Sequence, residues 1–156
     1  MNFRYIVFLL LGVTMVTSCA KNEMSNIPQI TFLSIDPTLS YTKPDTAVLL
    51  FSIDDGDADL GNAAASGKFD IYMKDLRFDS AGFTGYYFPV LNTAALDPKK
   101  GVTARCAYIF YNYMLSPRTD SVHSKGSDTT RFDLYIVDKA GHQSNHIITD
   151  YIVISK

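Results

Sequence analysis

The chain has 156 residues, a formal charge of −2, 47% hydrophobic residues and no tryptophan. That length accommodates one domain with a real hydrophobic core and is small for two. The near-neutral balance implies no basic patch for nucleic acid.

The chain opens with Arg4, runs through the apolar stretch from Ile6 to Val16, and reaches Thr17, Ser18 and Cys19. This is the three-part layout of a secretory signal. At about 1.5 Å of rise per residue the apolar stretch is too short for a hydrocarbon core of about 30 Å, so cleavage is expected rather than a permanent membrane span. Loss of residues 1–18 removes Arg4 and leaves 13 basic against 16 acidic residues.

Val16, Thr17, Ser18 and Cys19 resemble a bacterial lipobox, with valine where leucine is commoner. The resemblance implies that Cys19 becomes the acylated first residue of the mature chain, anchored in the cell envelope, with the outer membrane as the expected site on either its periplasmic or its surface face. Two or more acyl chains hold a protein stably on a membrane, at about 0.8 kcal/mol per buried methylene. Cys106 is then the remaining cysteine, so an intrachain disulfide is excluded. It sits in the alternating set Val102, Ala104, Cys106, Tyr108 and Phe110, which reads as a strand face with a buried thiol.

From Ala20 the sequence is polar and aperiodic, so residues 19–27 read as the lipidated cysteine and a flexible tether, with the domain occupying 28–156. Strands are expected at Gln29–Ile35, Ala47–Ile53, Phe69–Lys74, Tyr86–Val90, Val102–Met114, Arg131–Val137 and His146–Ile154. Phe69, Ile71 and Met73 alternate with polar neighbours, as do Phe132, Leu134 and Ile136. Val48–Ile53 is apolar on both parities apart from Ser52, which predicts a central strand covered on both sides. Asp36–Asp45, Asp54–Lys68 and Ser116–Thr130 are rich in turn formers. Of the 16 acidic residues Glu23 is the sole glutamate, which assigns the acid mostly to loops. About seven strands and no helical period predict an all-β fold, an antiparallel β-sandwich of the immunoglobulin-like type.

Asp138, Ala140, Gly141, Ser144 and Asn145 resemble the closing hairpin of bacterial immunoglobulin-like and cadherin-like modules. Together with the segment Phe51–Gly61 they resemble a group of uncharacterised lipoproteins from the Bacteroides lineage, in which an Asp-Gly-Asp-Gly-Asp-like turn follows an early strand. This chain carries Ala58 where a glycine is usual. The resemblance implies no known activity.

Asp54, Asp55, Asp57 and Asp59 place four carboxylates in six positions, a repulsive arrangement that a hard cation with oxygen ligands, calcium above all, would relieve. The loop is not an EF-hand, since Leu60 and Ser66 stand where that loop needs glycine and glutamate. In an immunoglobulin-like sandwich the loop after the second strand and the loop before the last lie at one end, so Asp138 is expected to approach the cluster. A solvated connection rich in Asx turns is the other reading. His123, His142 and His146 read as surface histidines, and no hydrolase, metalloprotease or phosphate-loop motif is present. The expected function is therefore a non-catalytic, lipid-anchored module of the cell envelope, structural or binding a protein or glycan, with calcium in the acidic loop. The alternative is an accessory glycan-binding lipoprotein of a polysaccharide uptake system, which calls for exposed coplanar rings among Tyr86, Tyr87 and Tyr111.

Overall fold

The computed structural model describes residues 24–61, 66–88, 99–115, 117–118 and 126–155. The stretch read as an export signal, Cys19 and the first residues read as tether lie outside the described residues, as do Pro89, Val90 and His123. The strands are β1 (Gln29–Ile35), β2 (Thr38–Ser40), β3 (Thr46–Asp55), β4 (Ile71–Asp75), β5 (Thr84–Tyr86), β6 (Val102–Tyr111), β7 (Ser127–Thr130), β8 (Phe132–Ile136), β9 (Ile147–Ile148) and β10 (Ile152–Ser155). One short 3-10 turn, Asn112–Met114, follows β6. Among the described residues no helix is long and apolar enough to cross a membrane.

The strands form an all-β sandwich. One layer has the order β1-β3-β6, entirely antiparallel. The other consists of β2-β10-β7 and β5-β4-β8-β9. Arg131 alone separates β7 from β8, and Thr149, which separates β9 from β10 together with Asp150 and Tyr151, exchanges hydrogen bonds with Phe132. The two pieces therefore run on as one layer with a local irregularity. The first strand changes layers at Asp36 and Pro37, after which β2 adds in parallel to β10.

The core lies between the layers and follows strand parity. Ala47, Leu49, Phe51 and Ile53 of β3 face Ile71, Leu134, Ile136, Ile152 and Ile154 from the opposite layer, all buried. Phe110 of β6 and Phe132 of β8 stack across the gap at 4.8 Å between ring centroids. Burying side chains of this size contributes about 1.5–3 kcal/mol each. Cys106 is buried in this core, and burial pushes its thiol up to about 12, which keeps it protonated at neutral pH.

Three expectations change in detail. The strand around Val48–Ile53 is central in its sheet, but only one face is buried, and Val48, Leu50 and Ser52 are half-exposed on the outer side. A short strand, β2, lies inside the expected turn region Asp36–Asp45, where it buries Leu39. A second, β7, lies inside the expected loop Ser116–Thr130, and its inward residues are the polar Asp128 and Thr130.

Those polar groups are satisfied by ion pairs. The Arg77 side chain, only 4% exposed, donates to Asp75 and, at 2.8 Å, to Asp128; Arg118 donates to Asp128 at 3.1 Å, and the Thr130 hydroxyl donates to Asp75. Burial alone would raise the carboxyls, but the Arg118 and Arg77 hydrogen bonds hold Asp128 well below its ordinary value, and those from Arg77 and Thr130 lower Asp75. A depressed folded-state value means stability that is present above the unfolded value and lost as pH falls through the folded one. Urea unfolding should therefore show stability declining below about pH 4. Arg77→Ala, which leaves Asp128 to Arg118 alone and Asp75 without an ion-pair partner, should cost about 3 kcal/mol at neutral pH, and Arg118→Ala, on the more exposed guanidinium, should cost less.

Candidate metal centre

The inward parity of β3 runs Ala47, Leu49, Phe51, Ile53 and then Asp55, so the last core-facing position of the strand is a carboxylate with no solvent exposure. Its Oδ2 accepts from the Asp59 amide at 3.1 Å, which closes the loop into a turn. Its Oδ1 is buried and has no hydrogen-bond partner. The turn passes through Ala58 at φ 53°, a left-handed conformation that costs an L-residue about 1–2 kcal/mol and favours glycine.

The β8–β9 hairpin closes over this loop. The Lys139 amide donates to the Asp59 carbonyl at 3.2 Å, and the Ala140 amide donates to Asp59 Oδ2 at 3.0 Å. Asp138, fully buried, accepts from the amides of Gly141 and His142 through Oδ1, each at 2.7 Å, and pairs with His142 Nδ1 through Oδ2 at 2.9 Å. That pairing raises the His142 imidazole above its ordinary value.

One carboxylate oxygen from each of Asp55, Asp59 and Asp138 lies within 4.8 Å of the others. Calcium takes oxygen ligands at 2.3–2.6 Å, so oxygens on opposite sides of one ion stand about 5 Å apart. The triad is therefore of the size that a single calcium ion spans. Asp57 and Asp59 each also carry a buried Oδ1 without a partner. Asp57 stands just outside the triad, and its charge acts on both Asp55 and Asp59.

Of the five aspartates singled out by sequence, Asp55, Asp59 and Asp138 converge, with Asp57 beside them. Asp54 does not join them. Opposite parity turns it to the outer face of the sheet, where its Oδ1 accepts from the Thr103 hydroxyl on β6. Counting alternation from Ala47 would have separated Asp54 from Asp55. No local pattern announces the contribution from the chain entry: the Gly56 amide donates to the Ser25 carbonyl at 2.8 Å, and a Cβ on Gly56 would run into the Met24 carbonyl. The stretch read as tether thus already lies against the acidic loop at Met24.

The electrostatics of the cluster are set by burial and by carboxylates facing one another. Burial, followed by the charges of Asp57 and Asp59, pushes the Asp55 carboxyl up to about 6. Burial, then Asp138 and Asp57, raises Asp59. Because the folded state holds the Asp55 proton more tightly than the unfolded chain, stability in chelator should fall as pH rises from about 4 to about 6. Asp55→Asn keeps an acceptor for the Asp59 amide and removes the charge. In urea unfolding at pH 8 with chelator we expect this variant to be more stable than the parent and to show a weaker pH dependence, Asp59 keeping its share; a less stable variant would mean that the carboxylate is not under electrostatic strain.

Comparison with protein-family models, with curated proteins and with solved structures found no match, so the reading of this centre stands on its geometry.

Proposed function

We propose that the chain is a non-catalytic, lipid-anchored module of the cell envelope whose acidic loop binds calcium. The observation that carries the cation is the convergence of Asp55, Asp59 and Asp138, with a buried Oδ1 on each of Asp55, Asp57 and Asp59 that no protein donor satisfies. Unpaired buried carboxylates are among the costliest groups a fold can keep, and a hard divalent cation with oxygen ligands offsets that cost. The donor set contains oxygen alone, which suits calcium or magnesium rather than zinc. With one oxygen each, Asp55, Asp59, Asp138 and the neighbouring Asp57 would supply four ligand atoms, and a calcium ion completes six to eight with second carboxylate oxygens, backbone carbonyls and water.

The anchor rests on the signal-like start and the lipobox-like Val16–Cys19, and the non-catalytic reading rests on the absence of any catalytic motif in the sequence. A calcium ion joining the loop after β3 to the hairpin after β8 would rigidify one end of the sandwich, as a structural or adhesive module requires. The glycan-binding alternative is favoured by one observation: Tyr111 and Tyr113 are both exposed and lie parallel at 5.6 Å. Against it, Tyr86 is half-buried against Tyr108, Tyr87, though exposed, leans on Phe69 at 45° between ring planes, and the broader aromatic face pairs its own rings, with Tyr72 stacked on Tyr135 at 5.0 Å.

The test is thermal unfolding with millimolar calcium and then with excess chelator, since a ligand bound only by the folded state raises its stability by about 2.7 kcal/mol at a hundredfold excess over Kd. We expect a calcium-dependent rise in Tm that is lost in Asp59→Ala, reduced in Asp57→Ala and retained in Asp54→Ala. Absence of any rise in the parent protein would reduce the loop to a solvated turn.

A further inference from the structure

The acidic loop lies at the end of the sandwich where the chain enters, and this has a consequence for how the domain meets a membrane. Met24 and Ser25 pack on Gly56, and the Met24 side chain also approaches Gly101, beside the Asp55 carbonyl. Only residues 20–23 separate Met24 from Cys19. At about 3.6 Å per residue, the five steps from Cys19 to Met24 reach no more than about 18 Å. The opposite end of the domain, at the Tyr41–Asp45 connection into β3, is farther by the length of that strand, about 30 Å at 3.3 Å per residue.

The same end carries exposed lysines. Lys139 is in the hairpin that closes over Asp59, Lys68 precedes Asp70, whose carbonyl accepts from the Val137 amide, and Lys99 and Lys100 lead into Gly101. Among the described residues, the acidic loop, Asp70 and Asp138 bring six carboxylates against these four lysines, an excess of two negative charges that one divalent cation offsets. Within a Debye length of about 8–10 Å, an uncompensated negative end is repelled by anionic headgroups, whereas a compensated one presents its lysines to lipid phosphates.

Building on the proposed anchor and calcium site, we infer that this end of the sandwich is a membrane-docking surface: with calcium bound, Lys68, Lys99, Lys100 and Lys139 rest on the anionic phospholipid surface to which Cys19 tethers the chain. The domain then stands with β3 rising from the bilayer and the Arg77–Asp128 end outermost.

The test uses the full, processed protein in vesicles. Ala140→Cys at the hairpin and Lys43→Cys at the far end are each labelled with a fluorophore, Cys106 being buried, and quenched by a headgroup-borne quencher. On phosphatidylglycerol vesicles with calcium we expect the label at position 140 to be quenched several-fold more than the label at position 43. That excess should shrink in chelator, on phosphatidylcholine, and in a Lys99→Glu, Lys100→Glu variant. Equal quenching of the two labels, or an excess indifferent to calcium, lipid charge and the lysine changes, overturns the docking surface alone. Mass measurement of the amino-terminal peptide and Tm measured with calcium separate this from failure of the reading beneath it: an unacylated Cys19, or a Tm indifferent to calcium, overturns both.

Discussion

The structure turns on a single constraint of strand geometry. Side chains of β3 alternate strictly between the two faces of the sheet, and the parity that drives Ala47, Leu49, Phe51 and Ile53 into the core carries Asp55 in after them. A carboxylate at the fifth inward position cannot turn outward without slipping the register against both β1 and β6, which would expose the whole apolar set. The core therefore holds Asp55 in place. Packing that stabilises the sandwich as a whole keeps one charged group under strain at its end, and a cation is the natural relief.

The two ends of the sandwich solve the problem of buried charge differently. At one, Arg77 and Arg118 neutralise Asp75 and Asp128 within the protein, and the carboxyls are driven below their ordinary value. At the other, Asp55 and Asp59 face further carboxylates and are driven above it. The contrast separates structure from site. A buried, internally paired network is complete without a ligand, whereas the Oδ1 atoms of Asp55, Asp57 and Asp59 are buried without a hydrogen-bond donor. His142 sits at the edge of the acidic centre, bonded to Asp138, and fixes that carboxylate's orientation from outside.

Much of the architecture was legible beforehand because the period-2 pattern is a local property. Ile71 and Met73, and Phe132, Leu134 and Ile136, read as inward faces and are buried. β2 and β7 were not legible for physical reasons. β2 is three residues long and exists by parallel pairing to β10, a partner more than 100 residues away. β7 hides behind an inward face of Asp128 and Thr130, which reads as a turn until Arg77 and Arg118 are brought beside it. In the acidic loop, composition pointed to the right segment but not to the right oxygens, because crowding along the chain says nothing of the side to which each carboxylate turns.

The sequence by itself determined the all-β class, the inward faces of the longer strands, the burial of Cys106 and the concentration of aspartate after the second long strand, all of which follow from alternation and residue chemistry within a few positions. Tertiary structure alone decided that Asp138 meets Asp55 and Asp59, that Asp54 leaves the cluster for Thr103, and that the chain enters beside the acidic loop. Those outcomes depend on pairings between residues about 30 to 80 positions apart. Such contacts are specified by the packing of two layers against one core, and no local pattern along the chain encodes them.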